Sequence, residues 1–354
     1  KYVYSLIFNG VKLLCDILIV VVTIKFKTLE SIAIVILAMK ILEEIINRIV
    51  VKKKYPELHE IARKDTSMVK MTKDLAWTQL GYLILNNVDA LLLMGFNGPV
   101  MVSIYTTYNY ILRFLTEIAS RVELSSVYSF GNVFAKKEEK RVYPLFKEYM
   151  MMFILIAFSM CLTFMIGIRG FVSVWVGKEN YILDYITIVL FTSTSFLNIL
   201  YFPLVALINA DGLFKDNKKH IFICASVNLI LSIILINYLG INGILLGTGV
   251  AFLVNIALKS NLISKKITKE IKLSNILKYY IITIILFIVL SVALKPIENY
   301  FLLTAGGFIT TILKLGIIFI IITLLTSLIL YVVSNDAKNL FRRLLNLIKR
   351  KLKK

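Results

Sequence analysis

Long apolar blocks alternate with short polar connections along this chain. Residues 280–294 and 316–333 contain no charged side chain. A helix crossing about 30 Å of hydrocarbon needs roughly 20 largely apolar residues. Blocks near that length recur at 3–24, 29–51, 75–94, 100–123, 149–168, 182–208, 221–239, 241–263, 276–294 and 307–333. Each is about twice as long as a membrane β-strand requires, so each predicts a helix. The expectation is an all-α polytopic membrane protein with about ten transmembrane helices. Composition agrees, since 58% of the residues are hydrophobic and soluble domains sit near 45–50%.

Polar stretches divide the blocks. Residues 52–74 form a long hydrophilic connection and predict a linker between two bundles, with the comparable 124–148 taken as a loop. The final segment, 334–354, is basic. Its apolar residues Leu340, Phe341, Leu344, Leu345, Ile348 and Leu352 fall at helical spacing, which predicts an amphipathic helix along an anionic membrane face. A faint repeat relates Asp16-Ile-Leu-Ile-Val to Asn228-Leu-Ile-Leu-Ser, each ahead of a tight turn, a second span and a lysine cluster. Parallel repeats are a common transporter plan. With a six-span unit, 75–264 is one lobe, 1–51 the last two spans of another, and 275–333 a final pair. The first copy would begin about 137 residues ahead of Lys1, so four preceding spans are expected.

Net charge is +20. Nucleic acid is the first partner such a balance suggests, but the basic residues lie in short connections between apolar blocks. Of 41 Lys and Arg, thirty fall on one side of the predicted membrane, counting Lys1 and the tail, and five (Lys25, Lys27, Arg169, Lys178, Lys295) on the other. This asymmetry predicts that both ends of the chain are cytoplasmic. Cys15, Cys161 and Cys224 are scattered and His59 and His220 are the only histidines, so neither a disulfide nor a metal site is expected. No nucleotide-binding loop or catalytic triad is present, and no signal peptide is visible. Neither enzyme activity nor a cofactor is expected.

The remaining six basic residues lie inside predicted spans, where ionisable groups are costly and mark functional sites. Lys12 sits four residues before Asp16, Lys40 precedes Glu43 and Glu44, and Arg113, Glu117 and Arg121 recur at helical spacing. Asp89 follows Asn86 and Asn87 in the third block. Two readings stand. Arg113, Lys12 and Lys40 could line one cavity and receive an anionic group such as a pyrophosphate, with Asp89, Asp16 or Glu117 binding a coupling ion. Alternatively, each cation is neutralised by an acid within four residues and serves as glue between helices.

Several stretches carry a family likeness: Leu207-Ile-Asn-Ala-Asp-Gly, Asn228-Leu-Ile-Leu-Ser, Gly240-Ile-Asn-Gly-Ile-Leu-Leu-Gly-Thr, Asn87-Val-Asp-Ala-Leu-Leu-Leu and Val174-Trp-Val-Gly-Lys-Glu-Asn-Tyr. In order and spacing they resemble polysaccharide flippases of the multidrug/oligosaccharidyl-lipid/polysaccharide exporter superfamily. The resemblance implies a multidrug-antiporter-like bundle of fourteen helices, in which this chain begins at the fifth. It implies ion-coupled alternating access that moves undecaprenyl-pyrophosphate-linked oligosaccharide across the bacterial cytoplasmic membrane. The implied partners are that lipid-linked oligosaccharide, membrane lipids and polysaccharide-assembly proteins. A peptidoglycan-precursor flippase or drug exporter of the same fold is the nearest alternative. A membrane polysaccharide polymerase or glycosyltransferase is the alternative from another class, although the acids near the outer connections, Glu30, Glu179, Asp184 and Glu298, form no pair in the sequence.

Overall fold

The computed structural model describes residues 2–26, 28–54, 66–267 and 272–352. The middle of the expected linker, with His59, lies outside the described residues. Every described element is helical, and seven helices are long and apolar enough to cross a membrane. The chain is therefore a polytopic membrane protein. It divides into two units, Lys1–Thr66 and Ser67–Lys354.

In the first unit, α1 (Tyr2–Phe26) and α2 (Leu29–Lys54) pack on one another. The second unit begins with α3 (Thr66–Ala135), which is two helices joined at Gly98. Unbroken, it would hold Asn87 and Arg113 about 39 Å apart. Arg113 Nη2 instead donates to Asn87 Oδ1 at 3.2 Å, so the chain reverses at Gly98. Gly98 has φ 80° and ψ 177°, a region essentially reserved for glycine, and Pro99 opens the returning helix with its φ already fixed. Gly240 makes the same kind of turn between α7 (Phe214–Leu239) and α8 (Ile241–Lys266), at φ 54° and ψ −131°. The two turns are neighbours, because a Cβ on Gly240 would stand 4.0 Å from Asn97 Nδ2.

At the centre is α4 (Val142–Val176), which touches α5 (Tyr185–Leu200), α6 (Phe202–Asp211), α9 (Leu273–Ala293), α10 (Lys295–Leu303), α11 (Phe308–Val333) and α12 (Asn335–Leu352). Aromatic rings fill the space between α4, α5 and α9. Phe158 meets Phe196 at 5.0 Å, and Phe196 stacks on Phe287 at 3.9 Å, geometries that add to simple area burial. The α5–α6 break falls at Tyr201 with Pro203 in the first turn beyond it, where the missing N–H costs no helical bond. On α11, by contrast, Ile309, Leu313, Ile320, Leu324 and Leu328 are all exposed. A soluble protein rarely shows such a continuous apolar face, so this is a lipid-facing surface.

Two connections differ from the sequence expectation. Residues 124–148 are largely helical, with α3 running to Ala135 and α4 starting at Val142. Their polar residues sit on helices that outrun the hydrocarbon, with Ser126 buried and Ser129 accepting from Tyr149 at 2.7 Å. Arg169 likewise lies inside α4 rather than in a loop. It donates from Nη1 to both carboxylate oxygens of Glu298, each at 3.2 Å, and so docks the short helix α10. The bare backbone of Gly170 makes room for Phe301, whose ring would lie 2.9 Å from an added Cβ. The Glu298 side chain is fully buried and that of Arg169 is 18% exposed. Glu298→Ala should cost about 3–5 kcal/mol by stranding the guanidinium, read as a lower thermal midpoint of the purified protein. Adding Arg169→Met should restore most of the loss; an unshifted midpoint in the single variant would show that the pair holds nothing.

The amphipathic tail forms α12. Its first turns rest on the protein, with Ala337 and Leu340 buried. Lys147 binds Asp336 at 2.8 Å and Arg343 binds Glu148 at 3.0 Å.

Candidate functional site

Asp89 is the acidic residue that the first half of α3 carries into the packed interior, at 4% exposure. A lone carboxylate there is expensive unless hydrogen bonds support it. Its Oδ2 accepts from Tyr105 at 3.1 Å, across the Gly98 hairpin, and from Thr248 of α8 at 3.0 Å. Asn228 of α7 also comes within hydrogen-bonding reach of Asp89, and its Oδ1 accepts from Ser232 at 2.8 Å. Asp89 Oδ1 is buried and has no hydrogen-bond partner. Three helical segments thus bring hydrogen-bonding groups around one carboxylate that keeps acceptor capacity to spare.

Beside this cluster lies a small, partly open cavity of about 60 Å³. Asp89, Tyr105, Asn109 and Arg113 line it from α3, Thr194, Ser195 and Asn198 from α5, and Thr248 from α8. A second, partly open cavity of about 200 Å³ shares Tyr105, Asn109 and Arg113 with the first. Arg113 therefore borders both. Its Nη2 donates across the hairpin to Asn87 at 3.2 Å. Such a chamber can take a polar anionic group against Arg113. The oxygen cluster can take a small hard cation or a proton. Oxygen donors of this kind suit hard cations, while zinc or copper would call for sulfur or imidazole. Among the described residues, no group of three or more His, Cys, Asp or Glu is placed to hold a metal ion.

The other predicted site residues are placed differently. Lys40 pairs with Glu43 at 2.7 Å and is 66% exposed, and Arg48 pairs with Glu44 at 3.0 Å. These match the local-neutralisation reading. Lys12 and Asp16 are exposed on α1, and Glu117 is exposed on α3. Lys12, Asp16 and Lys40 belong to the first unit, Asp89, Arg113 and Glu117 to the second. Lys314, the cation without a nearby acid in sequence, donates to the carbonyl of Thr304 at 2.6 Å.

Sequence reasoning missed Tyr105, Asn228 and Thr248 as site residues. Asn228 and Thr248 stood inside stretches quoted for family likeness, and the signal available was their common placement on the polar stripes of two adjacent spans. Lys259 lies in the predicted block 241–263 but counts among the thirty basic residues of the cytoplasmic side. The helix α8 continues to Lys266 and buries Lys259 completely. Compared with known proteins, the chain matches no family model, no curated protein and no solved structure.

Proposed function

We propose that this chain is part of a membrane carrier that flips an undecaprenyl-pyrophosphate-linked oligosaccharide across the bacterial cytoplasmic membrane for surface polysaccharide synthesis. The observation that carries this reading is Arg113 on the wall of a polar chamber inside an apolar helical protein, one side chain away from the buried Asp89 cluster. A guanidinium suits the oxygen geometry of a phosphate, and a low-dielectric surrounding strengthens the contact. In this reading Arg113 receives the pyrophosphate, and Asn109, Asn198 and Thr194 offer hydrogen bonds to polar groups that follow it. The Asp89 cluster binds the coupling ion, a proton or sodium. Filling and emptying of that cluster biases two packings of the helices, since a ligand can shift an equilibrium only by binding its states unequally.

The finer architecture belongs to the same proposal. Ten spans result when α1, α2 and both halves of α3 are each counted as crossings. Residues 75–264 then form a six-helix C-terminal lobe of a multidrug-antiporter-like bundle, with 1–51 from an N-terminal lobe and both ends of the chain cytoplasmic. The thirty-to-five asymmetry of basic residues supports that orientation.

The test is accumulation of substrate on the wrong leaflet. Cells lacking the full-length protein should hold the lipid-linked oligosaccharide where an impermeant lectin cannot reach it in intact spheroplasts. Restoring the protein should expose it. Equal lectin access with and without the protein would overturn the assignment.

A further inference from the structure

The helices α7 and α8 meet along a tight antiparallel seam. Gly247 lies against Ser232, where an added Cβ would stand 2.6 Å from Ser232 Oγ and 3.0 Å from its backbone nitrogen. An equal step along both helices brings Asn255 level with Cys224. One turn further, Lys259 donates to Asn217 Oδ1. The lysine side chain is fully buried, and its Nζ lies 6.0 Å from the centre of the Tyr82 ring. Among the described residues, no carboxylate is within ion-pairing distance of it. Asn255, one turn away on the same face, is fully buried with neither amide atom hydrogen bonded.

Both features are costly in a closed seam. A buried ammonium without a counter-ion is among the least favourable groups a membrane interior can hold. A buried amide with no partner forfeits the hydrogen bonds it made to water. A neutral amine removes the first cost, since it still has N–H groups to donate to Asn217. Water entering the seam would remove the second. The surrounding titratable groups do not supply a counter-charge. Asp216 is engaged by Lys266 at 2.7 Å, and Glu123, which lies near Tyr82 and Asn209, does not act on the lysine. Tyr82, Tyr201, His220 and Cys224 complete the neighbourhood.

We propose that Lys259 is a proton-binding latch for the α7–α8 seam. As a neutral amine it stays packed against Asn217 and Tyr82. When it takes up a proton, the seam opens to water from the end that carries Lys265 and Lys266, and Asn255 becomes hydrated. The inference deepens the carrier reading, and rests on it only in making a proton one of the ions that times the opening of this lobe.

Cys224 is a built-in reporter, fully buried in the middle of the seam. In the full-length protein with every cysteine other than Cys224 replaced by Ala, Cys15 and Cys161 among them, reconstituted in phosphatidylcholine nanodiscs, alkylation of Cys224 by N-ethylmaleimide is followed from about pH 6 to about pH 10, a window bounded above by the ordinary lysine range. Lys259→Met has no charge to gain and should keep the seam closed throughout. Lys259→Arg stays charged throughout and should keep it open. The unsubstituted lysine should follow the arginine variant at the acid end and the methionine variant at the alkaline end. Its rate relative to Lys259→Met, in which the thiol's own ionisation cancels, should fall about tenfold per pH unit above the midpoint. Curves parallel to either variant over the whole range would overturn the proposal. If Lys259→Arg does not fold, judged by gel filtration, the comparison with methionine decides alone. The measurement uses no saccharide and no transport. Parallel curves would leave the carrier reading standing, and failure of the lectin experiment would leave the latch standing.

Discussion

Arg113→Ala in the full-length protein is expected to lower surface polysaccharide by about ten- to hundredfold, since a hydrogen bond to a charged group is worth about 1.5–3 kcal/mol and each 1.4 kcal/mol is a factor of ten. The amount of protein in the membrane should not change. Arg113 is exposed to the chamber, so truncating it opens no packing defect, and the hydrogen bond to Asn87 is lost with it. Arg113→Lys should fall between, because an ammonium keeps the charge and loses the planar fork that matches a phosphate. Polysaccharide and protein are measured in the same cells by quantitative immunoblotting. Normal polysaccharide in the alanine variant would take Arg113 out of the substrate site.

The second large effect is expected at Asp89. Asp89→Asn preserves shape and can still accept from Tyr105 and Thr248, but it removes the one negative charge of the cluster. If the cluster holds sodium, the unsubstituted protein should be stabilised by sodium chloride relative to choline chloride at equal ionic strength. The gain is ~2.7 kcal/mol at a concentration about 100 times the dissociation constant, and the asparagine variant should show none. If it holds a proton, sodium should stabilise neither protein, and the asparagine variant should unfold at the higher temperature near neutral pH, where it mimics the protonated carboxyl. Indistinguishable thermal midpoints in both proteins under both salts would make Asp89 a structural residue.

Much of the helical framework was legible because lipid leaves a strong mark on a sequence. Uninterrupted apolar blocks demand helices, and the glycines at 98 and 240 announce the turns that separate two pairs of them. Boundaries were less legible where helices leave the hydrocarbon. Nothing in a serine-rich run such as 124–132 says whether it is a loop or a helix emerging into the headgroups, because either environment satisfies the same side chains. Asp89 and Arg113 stood out because a charge in an apolar block is conspicuous. Tyr105, Asn228 and Thr248 did not, because a tyrosine, an asparagine or a threonine inside a span is common and inexpensive. Only their convergence from three segments gives them meaning. The Arg169–Glu298 pair joins residues 129 positions apart, and no local pattern links them. Lys259 was misjudged for the opposite reason. It lies close in sequence to solvated lysines, and its burial depends on Asn217 and Tyr82, which belong to other helices.

The length of α4 has a mechanical consequence. Its 35 residues span about 52 Å, well beyond the roughly 30 Å hydrocarbon layer. Lys147 and Arg169, each tied to another helix by an ion pair, stand about 33 Å apart along it, close to the thickness of that layer. The helix is thus pinned near both of its headgroup boundaries, like a beam bolted at two decks. Where the acyl chains are shorter, α4 must lean or one bolt must give, which ties the packing around this helix to the lipid in which it is embedded.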